Sequence, residues 1–208
     1  MTLALLHTSP VHVPVFDALR DADHPGLALR HLVHEDLLAK AREAGPEAVS
    51  GEIRDLLAGA VADGARAILC TCSTIGAVAE SQSATLGVPV LRVDRPMAAA
   101  AAAQDRVVVL ASITGTLAPT LALLADEAGD RSVDVRTVVV DGAWARFEAG
   151  DRDGYLDLVA TAADAVTDSD VIVLAQASMA DAVTRTVTRI PVLSSPRPGL
   201  AAAAVAAR

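Results

Sequence analysis

The stretch AILCTCSTIG, residues 67–76, returns 104 residues later as VIVLAQASMA, residues 171–180, on the same plan: an apolar run, then small polar residues, then the start of a helical pattern. A second pair keeps that spacing, LALLHTSP from Leu3 and VVVLASIT from Val107. A third pair, VPVLRVDRP from Val88 and IPVLSSPRP from Ile190, is offset by 102 residues with its prolines and Arg-Pro pair in register. Self-similarity at a fixed period marks a doubled unit, and it governs the reading of everything else in the chain.

Each half reads as strand, helix, strand, long helix, strand, helix and a short strand beginning PVL. The second strands fall near LALRHLVH, residues 27–34, and VDVRTVVV, residues 133–140; the long helices fall near residues 46–63 and 153–168. Short continuous apolar runs alternating with helical periodicity indicate parallel strands covered on both faces. The expected fold is therefore α/β, with two similar Rossmann-like lobes whose parallel sheets are related by a pseudo-two-fold axis. The lobes are expected at residues 1–104 and 105–208, with tail helices free to cross between them. Ligands of open parallel sheets bind at the carboxyl ends of the strands, which points to an active site in an interlobe cleft lined by HTSPVHV, TCSTIG, ASITGT and AQASMA.

Composition narrows the classes of partner. A net charge of -9 over 208 residues opposes attraction to nucleic acid or to anionic membrane. No apolar run reaches the roughly 18–20 residues of a membrane span, and the start of the chain lacks the basic region and cleavage site of a signal peptide. Cys70 and Cys72 stand too close for an ordinary structural disulfide, in keeping with a reducing, cytoplasmic setting. Lys40, the single lysine, is the only anchor for a pyridoxal phosphate Schiff base, which argues against that cofactor. No G-x-G-x-x-G follows any strand, which argues against a dinucleotide site.

Cys72 follows a strand and precedes a helical run, a position where unpaired amide donors and the helix dipole favour a thiolate. Ser73 and Thr74 add hydroxyls and N–H groups suited to a carboxylate or enolate oxygen. Cys70, inside the strand, reads as core packing. The repeat makes Gln176 the counterpart of Cys72, with Ser178 nearby, and makes the Thr8–Ser9 loop the counterpart of the loop at Thr114. Arg92 and Arg95 are candidate positive charges for an anionic substrate; the alternative for Arg95, with Arg197, is a structural role paired with Asp94. His7 and His12 are read as loop residues able to assist Cys72 as proton partners. His31 and His34 on a strand point to opposite faces, so no metal site is expected. Trp144 is expected in the core.

The doubled α/β unit, with TCSTIG after a first-lobe strand, VPVLRVD and VLAQASM, resembles the aspartate/glutamate racemase superfamily, which includes hydantoin racemases, maleate isomerases and arylmalonate decarboxylases. The resemblance implies a cofactor-independent homodimeric enzyme that binds a small carboxylic acid. It maps the first-lobe thiol onto Cys72, whereas the second-lobe thiol of two-cysteine members is replaced by Gln176. An amide cannot serve as a general acid or base near neutral pH, so a symmetric two-thiol racemisation is not expected. The expected catalytic residue is Cys72, with Thr8, Ser9, Ser73, Thr74, Thr114, Gln176 and Ser178 holding substrate and no cofactor. Isomerisation, elimination and decarboxylation stay open, and a non-catalytic carboxylate-binding protein is the alternative from another class.

Overall fold

The computed structural model describes all 208 residues. They form two compact units, one of residues Met1–Asp94 with Pro196–Arg208, the other of Arg95–Ser195. In the first unit the chain runs β1 (Thr2–His7), α1 (Val13–Asp23), β2 (Ala28–Val33), α2 (Glu35–Ala44), α3 (Ser50–Ala62), β3 (Ala65–Cys70), α4 (Ser73–Glu80), α5 (Ser83–Leu86) and β4 (Val90–Arg92). The second unit runs α6 (Arg95–Ala102), β5 (Arg106–Ala111), α7 (Leu117–Ala128), β6 (Asp134–Val139), α8 (Ala143–Glu148), α9 (Arg152–Asp164), β7 (Val171–Leu174) and β8 (Val192–Leu193). The chain then returns to the first unit as α10 (Pro196–Ala206).

Both sheets are parallel throughout and share one strand order, β2-β1-β3-β4 and β6-β5-β7-β8. The α/β reading with two similar sheets holds. The near-continuous apolar runs of β1, β3, β5 and β7 are buried on both faces, as centre strands of a covered parallel sheet must be. The edge strands β2 and β6 are largely exposed, which is why their sequences mix charge with β-branched residues.

Alternation along each strand splits the core into two layers. In the first unit Ala4, Leu6, Ile68 and Cys70 face α2, α3 and α4, while Leu3, Leu5, Ala67 and Leu69 face Phe16 of α1 and Leu200 and Ala203 of α10. In the second unit Val108, Leu110, Ile172 and Leu174 face α8 and α9, and Val107, Val109, Val171 and Val173 face α7 and the Met97, Ala98 and Ala101 side of α6. The alanine-rich tail of each half thus supplies a cover helix to the other half's sheet. Small side chains suit this role because they let a helix lie close to strands.

The structure departs from the sequence reading at three places. Arg92 is not a substrate charge: it is 4% exposed and its Nε and Nη2 donate to the two Asp94 carboxylate oxygens at 2.8 and 2.9 Å. That pairing consumes Asp94, so Arg95 instead meets Asp126 and Glu127, and Arg197 meets Asp23. Trp144 stands half-buried, stacked on Phe147 at 5.1 Å, at the margin of the core rather than inside it. His7 is not a loop residue: it ends β1, fully buried, and belongs to the site below.

Candidate functional site

In each sheet the chain leaves the first strand toward one side and returns on the other, so a crevice opens at the carboxyl ends of the first and third strands, where ligands of such sheets bind. In the first unit these ends carry His7, the last residue of β1, with Thr8 after it, and Thr71 and Cys72 after β3. The ladder pairs Leu6 with Cys70, and the Thr71 amide donates to the Leu6 carbonyl at 3.0 Å, which carries the alignment on to Thr8 and Cys72.

Cys72 caps the N-terminus of α4 with extended backbone, φ -112 and ψ 117, and is half-buried. Ser73 and Thr74 open the helix and are half-buried beside it. Cys70 is fully buried, and its Sγ donates to the Cys72 carbonyl at 3.6 Å. Burial pushes the Cys70 thiol up strongly, with the neighbouring Cys72 acting the same way. Only one of the two thiols is therefore placed to react. With iodoacetamide the native protein is expected to take up one label, at Cys72, and the second only after denaturation; peptide mass spectrometry reads this directly, and native labelling of Cys70 would contradict the assignment. Gly76 lets α4 rest on the buried ion pair, since a Cβ there would meet Arg92 Nε at 3.1 Å.

A chain of polar groups runs behind the site. His7 Nδ1 lies 2.8 Å from Thr71 Oγ1, His7 Nε2 lies 2.8 Å from His31 Nδ1, and His31 Nε2 lies 3.3 Å from Asp17 Oδ1. Thr71 also donates to the Leu6 carbonyl at 3.1 Å. Burial, followed by the neighbouring His31 and His12, lowers the His7 pKa to about 3, so His7 is a neutral imidazole tying Thr71 to β2 and α1. His12 closes a 3-10 turn, Pro10–His12, its ring centroid 6.3 Å from that of His7. Thr8 is buried and Ser9 half-buried before that turn.

The second unit builds the matching position from different residues. Gln176 caps the 3-10 segment Ala177–Arg185, and its Oε1 accepts from the Ser112 backbone N–H at 2.7 Å and from Ser112 Oγ at 2.9 Å. A backbone N–H can only donate, so the carboxamide oxygen is fixed on Ser112 and the Nε2 donors are turned to solvent. Ser178 Oγ lies 2.8 Å from the Tyr155 hydroxyl, for which Ser112 is a second partner. Burial raises the pKa of Tyr155, partly offset by the Ser178 and Ser112 bonds. Thr114 opens the 3-10 turn Thr114–Thr116 and is exposed, with no contact to this network.

Thus the structure joins Ser112, Gln176, Ser178 and Tyr155 in one network, and aligns Thr8 with Cys72 across β1 and β3. Thr71, His31, Asp17 and Tyr155 were not singled out by sequence reasoning as site residues. The repeat did signal Ser112, the counterpart of Thr8. Tyr155 projects from a long helix to partners 23 and more residues away, and no local pattern marks it.

The profile of the Asp/Glu/hydantoin racemase family matches residues 13–206. The chain belongs to that family. Among solved structures it is similar to an arylmalonate decarboxylase mutant in a sulfate-associated form, with 22% identity, 100% of this chain and 93% of that chain covered, and a TM-score of 0.68. A glutamate racemase from Thermus thermophilus in complex with beta-chloro-D-alanine gives 17% identity, coverage of 98% and 79%, and a TM-score of 0.68. A glutamate racemase isoform from Bacillus anthracis gives 14% identity, coverage of 98% and 80%, and a TM-score of 0.68. No curated protein matches the chain by sequence. At these identities the structural likeness carries the fold, and family membership rests on the profile. No helix of this member of the family is long and apolar enough to cross a membrane.

Proposed function

We propose that the protein is a cofactor-independent enzyme of the racemase family that acts on a small carboxylic acid through one thiol, Cys72. The observation that carries this reading is the half-buried Cys72 at the N-terminus of α4, at the carboxyl end of β3, with a glutamine at the matching position of the second unit. In isomerase chemistry the Cys72 thiolate takes the proton from the carbon next to the carboxylate. The C–H electron pair passes into an enolate, and water or a histidine delivers a proton to that carbon from the opposite face, while Cys72 later gives up the abstracted proton to solvent. Ser73 and Thr74, at the amide-rich start of α4, stabilise the negative oxygen as it develops. Thr8, Ser9, Thr114, Gln176 and Ser178 complete the proposed substrate contacts, and the reading takes the protein as a cytoplasmic homodimer.

A second reading within the family is favoured by Gln176. Without a second thiol, loss of carbon dioxide from a malonate-type acid leaves its electron pair as an enolate, which Cys72 then protonates from one face only.

The test is proton NMR in deuterated buffer with aspartate, glutamate, hydantoins, maleate and substituted malonates, comparing the wild type with Cys72→Ser. Deuterium uptake or substrate loss is expected in the wild type and is expected to fall by about 10²–10⁴-fold in the variant, the usual worth of a positioned acid or base. Turnover unchanged in Cys72→Ser would overturn the thiol mechanism. No turnover on any acid, together with a carboxylate that blocks thiol labelling, would support the non-catalytic binding alternative.

A further inference from the structure

The two units end their first and third strands in nearly the same backbone. Ser9 and Ile113 both precede a 3-10 turn in extended conformation, φ -157, ψ 136 against φ -145, ψ 136. Cys72 and Gln176 adopt φ -112, ψ 117 and φ -121, ψ 138. The strand-end bonds match as well, Thr71 N–H to Leu6 C=O at 3.0 Å and Ala175 N–H to Leu110 C=O at 2.9 Å. The units differ in what the side chain after the third strand does with the donors at the end of the first.

In the second unit those donors are the N–H and Oγ–H of Ser112, and both point at one oxygen, Gln176 Oε1. In the first unit the equivalent donors belong to Thr8. Thr8 is only 8% exposed, yet neither its N–H nor its hydroxyl has a hydrogen-bond partner within the protein, and the hydroxyl keeps contact with solvent. The reason lies in the side chain opposite: Cys72 ends at Sγ, well short of where a glutamine carries its carbonyl oxygen. With no acceptor from the chain, this donor pair is left to the solvent that reaches the hydroxyl, and a ligand oxygen can take that solvent's place.

We propose that the Thr8 N–H and hydroxyl form a receptor for one oxygen of a carboxylate, or of the enolate made from it, and that Ser112 is a second copy of this receptor filled by the chain's own Gln176. Gln176 displays the binding geometry with a neutral carbonyl oxygen, and a carboxylate oxygen is the stronger acceptor for the same two donors. This assignment rests on the proposed function for placing the bound oxygen next to a reacting carbon at Cys72. It also gives Gln176 a role distinct from substrate binding through its oxygen, because that atom is committed to Ser112. The first unit holds a ligand oxygen, whereas the second holds its own.

The probe is sodium acetate, titrated into the full-length ¹⁵N-labelled chain, with sodium chloride at equal ionic strength as the control. In the wild type the Thr8 amide resonance is expected to shift with saturating behaviour while that of Ser112 stays in place. In Gln176→Ala both are expected to respond; Gln176→Asn, whose shorter amide withdraws from Ser112, serves the same purpose if the alanine variant unfolds. Thr8→Val removes one donor and is expected to weaken acetate binding about tenfold or more. A silent Thr8 amide, or a Ser112 amide that responds in the wild type as strongly as Thr8, overturns the proposal. Acetate binding at Thr8 with turnover intact in Cys72→Ser would sink the thiol mechanism and leave the receptor standing. Cys72-dependent turnover with a silent Thr8 would do the reverse.

Discussion

Gly199→Ala is expected to be the most damaging single-methyl change in the protein. A Cβ at this position of α10 would lie 2.7 Å from Val93 Cγ2 and 2.9 Å from Val93 Cα, and still closer to the Val93 carbonyl oxygen. These contacts involve backbone that follows β4, so no flexible side chain can swing away. Relief requires α10 to lift from the sheet, which uncovers the Leu200 and Ala203 packing against Leu3, Leu5 and Leu69. Overpacking of this kind costs about 3 kcal/mol or more, a fall in Tm of about 5–10 °C for a chain of this size. Gly59→Ala is the matched control, since its added methyl meets nothing within 4 Å and its helix gains from the exchange. Thermal melts of the two variants should move apart, the first down and the second level or up. Equal melts would mean that α10 is not seated as described.

The second large effect concerns His7 and acid. Its pKa is lowered from 6.5 to about 3 by burial first, then by His31 and His12. The groups facing its ring are Thr71, His31, His12 and Phe16, none of which offers a negative charge. Between pH 6.5 and 3 the unfolded chain therefore holds a proton at this position that the folded chain refuses. Stability is unaffected by His7 above pH 6.5, then falls on acidification by up to about 1.4 kcal/mol per pH unit, and the sum at pH 3 is on the order of 4 kcal/mol. His7→Gln, which has no titrating ring, should lose this portion of the slope when unfolding free energy is measured by denaturant from pH 7 to pH 4. Because a slope is compared, the test survives any uniform loss of stability in the variant. An unchanged slope would show that His7 accepts its proton in the folded state.

The sequence made the doubled sheet legible because buried parallel strands leave continuous apolar runs, and because small polar residues recur at their ends with a fixed offset. Cys72 was legible for the same reason, standing where one apolar run stops and a helical one starts. The ion pair of Arg92 was not. Arg92 and Asp94 are two apart in sequence, and only the chain's bend after β4 brings guanidinium and carboxylate face to face in a buried setting. His7 was misplaced by a single residue: the strand runs on to His7 before the turn begins, and one residue decides between a solvent-facing loop and a fully buried ring. Polar residues at strand ends announce a site, but their partners come from neighbouring strands and helices at separations of 24 to 64 residues, which local patterning does not encode.

The exchange of cover helices also sets an order on the ribosome. The second unit is one continuous segment, Arg95–Ser195, whereas the first lacks α10 until Pro196–Arg208, which follow the whole second unit, have been synthesised. The part translated first is therefore completed last. Until then Leu3, Leu5, Ala67 and Leu69 present a sheet face without one of its covering helices, and exposed apolar strands of that kind invite association with other nascent chains. An alanine-rich segment is thus what closes the first unit, after the whole of the second has been made.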